Sequence, residues 1–173
     1  MKLFFILAAL VVFTANAGAQ TNANPVDTDT LAPYQKTAVI PAFSIQTPDS
    51  SWYSKVNLAA KKPTLILYFS PDCGHCQLET EEILGKMKEL NGLQIVMVTS
   101  RPFEDMKNFA EHYKINRFPT IKIGTDPKRL VTQFYDVKFT PFSALYDQKG
   151  KLVKVYKDGI QMNELIRFLN KKS

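Results

Sequence analysis

Two cysteines with two residues between them stand in the first half of this 173-residue sequence and offer redox chemistry. Cys73 and Cys76 are the only cysteines of the chain, and Gly74 and His75 separate them. An apolar run at residues 65–69 precedes the motif and a helical pattern follows it, so we expect the pair to lie where a strand passes into a helix. Two sulfurs at this spacing can close a small disulfide ring in the first turn of a helix. The motif therefore predicts a redox-active dithiol.

The predicted helix start gives the two sulfurs different roles. Cys73 would sit at the positive end of the helix dipole, where free backbone N–H groups stabilise a thiolate, so we expect it to be the nucleophile. Cys76 lies one turn deeper and would resolve a mixed disulfide by attacking Cys73. His75 can donate a hydrogen bond or place a positive charge beside the sulfur, and either would lower the pKa of Cys73.

Three other uses of the motif fit the sequence less well. A purely structural disulfide would close so short a loop that it would stabilise the fold little. A c-type haem site needs a histidine directly after the second cysteine, where Gln77 stands. A zinc site needs further ligands, but His75 and His112 are the only histidines and there is no third cysteine. We therefore expect neither a metal nor an organic cofactor.

The amino terminus has the pattern of a secretory signal. Lys2 precedes an apolar run at residues 3–13, which is shorter than the ~20 residues that span a bilayer. Small residues follow at the two candidate cleavage sites, Ala17 and Ala19. We predict a signal peptide at 1–19, a flexible linker at 20–38 and one domain at 39–173. The mature protein would be exported, to the periplasm or beyond the cell, with no stable membrane span after signal removal.

The charge distribution bears on the class of partner. The formal net charge is +6, and the basic residues are spread along the chain rather than gathered in one stripe. Nucleic-acid binding is therefore unsupported, because that function needs a concentrated basic surface.

Apolar patterns predict strands alternating with helices. Strands are expected at 39–45, 64–69, 93–98, 120–123, 143–146 and 151–156, and Pro41 favours an edge position for the first. Helices are expected at about 50–58, from 73 to Asn91-Gly92, from Pro102 to Tyr113, at 126–135 and around 162–169. The residues 147–150 suit a type I turn, so the last two strands should pair antiparallel. These elements predict an α/β fold with a mostly parallel central sheet and an antiparallel edge hairpin.

From about residue 41 to residue 168 the chain resembles the thioredoxin superfamily, specifically the TlpA/ResA-like branch of exported bacterial thiol-disulfide oxidoreductases. The resemblance rests on Pro41-Ala42-Phe43, the strand before the cysteine motif, Phe118-Pro119-Thr120, Thr140-Pro141 and the turn at 147–150 with the strand after it. It implies a thioredoxin-like three-layer fold with helices on both faces of the sheet. It also implies disulfide exchange with exported protein substrates, with electrons passing to or from an unidentified redox partner protein.

The resemblance also implies roles for single residues. Pro141 matches the family's cis-proline, whose loop lies against the active-site disulfide and exposes the backbone of Thr140 as a docking edge for substrate. Pro119 is the other candidate for the cis-proline, and the resemblance implies a structural role for it instead. Glu79 stands where ResA-like proteins carry a glutamate near the thiols, and it could accept a proton or raise a thiol pKa. The alternative for Glu79 is a solvated acid near the helix start.

Two departures from the family pattern concern the surroundings of the sulfurs. Asp72 replaces the aromatic residue that usually precedes the first cysteine, and Leu67 replaces the buried aspartate of thioredoxins. An internal proton acceptor for Cys76 is then missing unless Glu79 or water serves. His75 is common in oxidising and isomerising members, whereas the TlpA-like pattern is often reductive, so the direction of electron flow stays open.

Two other functions remain as alternatives. A peroxiredoxin-like peroxide reductase would have threonine or serine three residues and proline seven residues before its reactive cysteine; Ser70 meets the first condition, but Ile66 fails the second. A non-catalytic thioredoxin-fold binding module would use only the groove beside Pro141, and its cysteines would be inert.

Overall fold

The computed structural model describes residues 31–171, so the predicted signal peptide and most of the predicted linker lie outside the described residues. Five helices and seven strands follow one another along this range. In order they are α1 Pro33–Lys36, β1 Ser44–Gln46, β2 Trp52–Ser54, β3 Thr64–Tyr68, α2 Gly74–Gly85, β4 Gln94–Thr99, α3 Phe103–His112, β5 Ile121–Thr125, α4 Leu130–Tyr135, β6 Phe142–Tyr146, β7 Leu152–Tyr156 and α5 Met162–Asn170.

The strands form one sheet in the order β2-β1-β5-β4-β3-β6-β7. The three central strands β5, β4 and β3 are parallel, as their continuous apolar sequences predict. The predicted antiparallel hairpin, β6 with β7, forms one edge. A second antiparallel pair, β1 with β2, forms the other edge, so the parallel arrangement is confined to the centre of the sheet.

Helices cover both faces of the sheet, which confirms the three-layer α/β architecture. On one face, α2, α3 and α5 bury their apolar sides against residues such as Leu65, Leu67 and Met97. On the other face, α1 and α4 cover the alternate residues, among them Ile66 and Val96. The alternation of side chains along each strand thus supplies two separate cores. Within residues 31–171, no helix is long and apolar enough to cross a membrane.

The helix expected at 50–58 is wrong. Residues Trp52–Ser54 form β2, which pairs antiparallel with β1, and only Lys55–Asn57 make a single 3-10 turn. The turn before β2 is held by Asp49, whose carboxylate accepts hydrogen bonds from the side chains of Thr47 and Ser51. The hairpin forms because this turn reverses the chain and the aromatic Trp52 and Tyr53 favour extended backbone. Because β2 covers β1, the strand after Pro41 is not the edge of the sheet.

The boundaries of two helices also differ from those expected. The helix α2 ends at Gly85 rather than at Asn91-Gly92, and turns connect it to the buried Leu90. Glycine is a poor residue within a helix, and this favours an end of α2 at Gly85. The helix α4 begins at Leu130, four residues after Asp126, whose Oδ2 accepts the N–H of Val131 at 2.8 Å.

The last residues of the predicted linker are ordered parts of the fold. Pro33–Lys36 form α1, where the ring of Tyr34 packs against Tyr135 and Phe142 at centroid distances of 5.8 and 6.4 Å. The carbonyl of Ala38 then accepts the N–H of Leu152 at 2.6 Å. Residues 33–38 therefore pack against the domain, because one aromatic side chain anchors them.

Candidate active site

Cys73 is the residue from which α2 starts. The strand β3 ends at Tyr68, and a turn in which the N–H of Cys73 donates to the carbonyl of Ser70 at 3.1 Å leads into the helix. Cys73 is the N-cap with an extended backbone, so its sulfur lies beside the free N–H groups of the first turn. This is the position that the sequence predicted for the nucleophile.

The loop that carries Thr140 and Pro141 lies against this sulfur. The peptide bond between these two residues is cis, and Sγ of Cys73 lies 3.6 Å from the carbonyl oxygen of Thr140. Partial burial opposes ionisation of the Cys73 thiol. Hydrogen bonds from the Cys76 thiol, the backbone of residues 75 and 76 and the side chain of Thr140 outweigh it, so the pKa of Cys73 lies below its ordinary value.

Cys76 has the opposite environment. Its side chain is 1% exposed, and burial raises its pKa to about 12, with the neighbouring Cys73 adding to the effect. Both cysteines are free thiols in this structure. A partly exposed sulfur with a lowered pKa therefore lies beside a buried sulfur with a raised pKa.

Glu79 lies one helical turn after Cys76 and is buried with it, at 7% exposure. Its Oε1 accepts the backbone N–H of Ile160 at 2.6 Å, whereas its Oε2 has no hydrogen-bond partner among residues 31–171. Burial raises the pKa of Glu79 to about 7, the Ile160 N–H opposes that rise, and the charge of Glu82 adds to it. The interpretation of Glu79 as a solvated acid is wrong, because α5 and the loop before it cover this side of α2. A carboxyl with this pKa can give or take a proton near neutral pH.

The side chain of His75 lines the same cleft as Glu79. It is exposed and lines a cleft of about 860 Å³ together with Phe139 and Pro141. The backbone of His75, rather than its ring, is the part that contributes to the lowered pKa of Cys73. Phe139 is 81% exposed and Leu78 is 63% exposed, so apolar surface flanks the sulfur on this side. Sequence reasoning missed Phe139, although its place directly before Thr140 was a usable signal.

A second cleft, of about 690 Å³, opens on the other side of Cys73. Here Asp72 accepts a hydrogen bond from the hydroxyl of Ser70 and forms an ion pair with Arg101, with Nη2 and Oδ2 3.1 Å apart. The Ser70 hydroxyl, the backbone and Arg101 hold the pKa of Asp72 below its ordinary value. Arg101 was not anticipated, because it follows β4 and only the parallel pairing of β3 with β4 brings it to the motif.

The sheet is thioredoxin-like, a helix starts at the Cys-x-x-C motif, and a loop containing a cis-proline lies against the first sulfur. These features define the class of this protein as thioredoxin-like. A family model agrees with that class: residues 37–159 match the AhpC/TSA family. The chain belongs to the AhpC/TSA family.

Two curated relatives of low sequence identity are protein disulfide-isomerases. A protein disulfide-isomerase of Schizosaccharomyces pombe is 29% identical over 162 residues, which cover 88% of this chain and 38% of that protein. The protein disulfide-isomerase MPD1 of Saccharomyces cerevisiae is 27% identical over 104 residues, 60% of this chain and 32% of that protein. The chain thus spans about a third of the length of the relatives it matches.

Solved structures with the same fold come from both oxidoreductases and peroxiredoxins. A secreted disulfide oxidoreductase of Mycobacterium tuberculosis has a TM-score of 0.62 at 17% identity, over 75% of this chain and 95% of that one. A peroxiredoxin-like protein of Aquifex aeolicus has a TM-score of 0.63 at 18% identity, over 78% of this chain and 85% of that one. These likenesses confirm the thioredoxin-like fold.

Proposed function

We propose that this protein is an exported thiol-disulfide oxidoreductase that exchanges disulfides with other exported proteins through Cys73 and Cys76. The observation that carries the proposal is the asymmetry of the two sulfurs. Cys73 is accessible, has a lowered pKa and lies 3.6 Å from the Thr140 carbonyl, while Cys76 is buried behind it with a raised pKa. A nucleophile in front of a resolving thiol is the arrangement that two-step exchange requires.

In the reductive direction, the Cys73 thiolate attacks one sulfur of a substrate disulfide. The substrate S–S bond breaks, a mixed disulfide with Cys73 forms, and one substrate thiolate leaves. Glu79 then takes the proton of Cys76, whose thiolate attacks Sγ of Cys73 and releases the second substrate thiolate. Two electrons pass to the substrate and the Cys73–Cys76 disulfide remains, for a redox partner protein to reduce. In the oxidative direction the same steps run in reverse.

The backbone beside Pro141 would hold the substrate during this exchange. The carbonyl of Thr140 lies at the reactive sulfur, so an extended substrate segment that pairs with this backbone brings its own sulfur to Cys73. His75 and Phe139 line the adjoining cleft and would contact the residues that flank the substrate cysteine.

Export is proposed from the predicted signal peptide at residues 1–19. Two structural neighbours are in keeping with it, since one is a secreted disulfide oxidoreductase and another is an exposed lipoprotein thioredoxin of Streptococcus pneumoniae.

The roles of the two cysteines can be tested by trapping. Cys76→Ser should accumulate a covalent complex between Cys73 and a disulfide-bonded model peptide, visible by mass spectrometry, because the resolving thiol is gone. Cys73→Ser should form no such complex and should lose catalytic reduction of the peptide. Catalysis retained by Cys73→Ser would overturn the assignment.

Peroxide reduction is the second candidate, and the fold shared with a peroxiredoxin-like protein and a thiol peroxidase of Chromobacterium violaceum favours it. Asp72 accepts a hydrogen bond from the Ser70 hydroxyl and forms an ion pair with Arg101, so both groups that could bind a peroxide are already paired. We therefore rank peroxide reduction second. Cys73-dependent consumption of hydrogen peroxide at a rate above that of disulfide exchange would reverse the order.

A further inference from the structure

On one edge of β5, half of the backbone N–H and carbonyl groups have no partner within the described part of the sheet. The N–H of Ile95 donates to the carbonyl of Thr120, and the N–H of Asp126 donates to the carbonyl of Thr99. These bonds mark the two ends of the parallel ladder between β4 and β5, and they direct the backbone groups of the even-numbered residues of β5 toward β4. The groups of residues 121, 123 and 125 therefore face the opposite way.

The strand β1 pairs with only one of these three residues. Gln46 is opposite Thr125, and this is the single pairing between β1 and β5. Continuing the antiparallel register would place Pro48 opposite Ile123, but proline has no N–H to donate, and the chain turns away between residues 47 and 50. The N–H of Ile121 is satisfied by Phe118 at 2.9 Å. Within residues 31–171, the N–H and carbonyl of Ile123 and the carbonyl of Ile121 are thus left without a ladder partner.

A cleft lies along this open edge. Its volume is about 730 Å³, and Ile121, Lys122 and Ile123 form one wall while Pro48 and Tyr53 belong to the facing wall. An unpaired strand edge in a cleft is a template for an added strand, since an extended segment can complete the interrupted ladder.

The charges around the cleft indicate what kind of segment fits. Four basic residues line it, Lys107, Lys114, Arg117 and Lys122, against two acidic residues, Asp49 and Glu111. No ion pair to any of these four cations occurs in the part of the chain that the structure describes. The carboxylate of Asp49 accepts hydrogen bonds within its own turn, and the lining keeps an excess of two positive charges, four basic residues against two acidic ones.

The four cations lie on both faces of the sheet beside the edge of β5. Lys107 lies within α3 and Lys114 follows two residues after its end, and α3 packs on the face that holds the side chains of Ile121 and Ile123. Lys122 points to the other face, because side chains alternate along a strand. An acidic strand added to β5 would therefore meet a cation whichever way its side chains point.

This cleft is separate from the cysteine site. It shares no lining residue with the clefts on either side of Cys73, and β4 separates β5 from the strand that leads to Cys73. In the parallel register, Lys122 is level with Val96 and Ile66, whereas the motif follows the far end of β3.

We propose that the open edge of β5 binds an extended, acidic segment of a partner protein by strand addition, beside but independent of disulfide exchange. The partner would gain backbone hydrogen bonds to Ile121 and Ile123 and charge contacts to the four cations. A second copy of this chain is a poorer occupant, because two copies of the same basic edge would repel each other.

The test uses the full-length chain and a fluorescent seven-residue peptide of alternating Glu and Val. The peptide should bind, as measured by fluorescence anisotropy, and the amide of Ile123 should exchange rapidly in the free protein and become protected in the complex. Absence of binding would overturn the proposal. So would an Ile123 amide already protected in the free chain, because another segment or a second copy would then occupy the edge.

Two N-methylated peptides separate strand addition from charge attraction. One carries methyl groups on all Glu nitrogens and the other on all Val nitrogens. A strand pairs through alternate residues, so only one of the two should lose binding. If both bind equally well, the contact is electrostatic only and the proposal fails.

Charge reversal locates the contact. Lys114→Glu with Lys122→Glu should weaken peptide binding about tenfold, since two attractions become repulsions. The matched control, Lys128→Glu with Lys149→Glu, changes the net charge equally at exposed lysines outside the cleft and should weaken binding less than about twofold. Equal weakening by both pairs would contradict a site at β5. Disulfide exchange should be unchanged in both double variants.

Discussion

At the scale of single residues, the site separates the ionisation of two neighbouring thiols. Cys73 is stabilised as a thiolate by donors at the start of α2, and Cys76 is kept neutral by burial. One of the oxygens of Glu79 has no hydrogen-bond partner among the described residues, and its carboxyl lies on the same buried side of α2. Glu79 is therefore the proton acceptor that we propose in place of the buried aspartate missing at position 67.

The raised pKa of Glu79 makes stability depend on pH in a definite direction. Burial raises the pKa from 4.5 to about 7 in the folded protein. The contribution of the Glu79 carboxyl to the free energy of unfolding is therefore complete below pH 4.5. It is lost as the pH rises through about 7. The loss amounts to about 3 kcal/mol at most.

Glu79→Gln should remove this loss, because the amide stays neutral and can still accept the N–H of Ile160. We expect the variant to exceed the wild type by about 2 kcal/mol in unfolding free energy at pH 8, and the advantage should vanish near pH 4.5. Its resolution step should slow by about tenfold or more, since Cys76 loses its base. Urea unfolding at both pH values and stopped-flow exchange give the two readouts.

The exposed neighbour Glu82 provides the control for this variant. Glu82→Gln should leave the exchange rate within about twofold and shift stability little, because an exposed side chain of this kind is worth under ~0.5 kcal/mol. An unchanged pH dependence in Glu79→Gln would show that the carboxyl is not the titrating group.

At the scale of elements, α2 carries the sulfurs in its first turn and ends well before β4 begins. It stops at Gly85, and the connection to β4 passes through Gly92, whose φ is +89°. A Cβ built at either glycine meets nothing within 4 Å. The two positions therefore differ in backbone conformation and not in available space.

Gly85→Ala should stabilise the protein by about 0.5 to 1 kcal/mol, because alanine is the better helix former and no neighbour opposes it. Gly92→Ala should destabilise it by about 1 kcal/mol, because a Cβ disfavours positive φ. Chemical denaturation of both variants measures the difference, and equal effects would refute the conformational explanation. Disulfide exchange should be unaffected in both.

At the scale of the whole molecule, the segment before the first strand covers part of the face of the sheet opposite α2. Tyr34 contacts α4 through Tyr135 and the start of β6 through Phe142, the residue directly after Pro141. The anchoring of this segment thus supports the strand that carries the proline loop, although the segment lies far from the cysteines in sequence.

Tyr34→Ala should lower the free energy of unfolding by about 1 to 2 kcal/mol, through lost apolar burial and two aromatic contacts. Lys36→Ala, in the same short helix but exposed, should change it by less than ~0.5 kcal/mol. Thermal and urea unfolding measure both. Equal stability of the two variants would mean that residues 31–38 do not contribute to the fold.

Much of the central sheet and of the site could be predicted because the signals are local. The buried strands β3 and β4 are continuous apolar runs, and the cysteine motif follows one of them directly. The hairpin at Trp52 could not be predicted from local pattern, because Ser50-Ser51 followed by Trp52, Val56 and Leu58 also fits the capped start of a short helix. Only pairing with β1 decided between the two.

By itself, the sequence determined that two sulfurs would meet at a helix start behind an apolar strand, because the spacing and the apolar run lie within a few residues of each other. Tertiary structure alone decided that Glu79 is buried beneath Ile160, that Arg101 reaches Asp72, and that the edge of β5 stays open opposite Pro48. These features depend on which strands become neighbours, and that outcome is set by packing across the whole sheet rather than by any short stretch of chain.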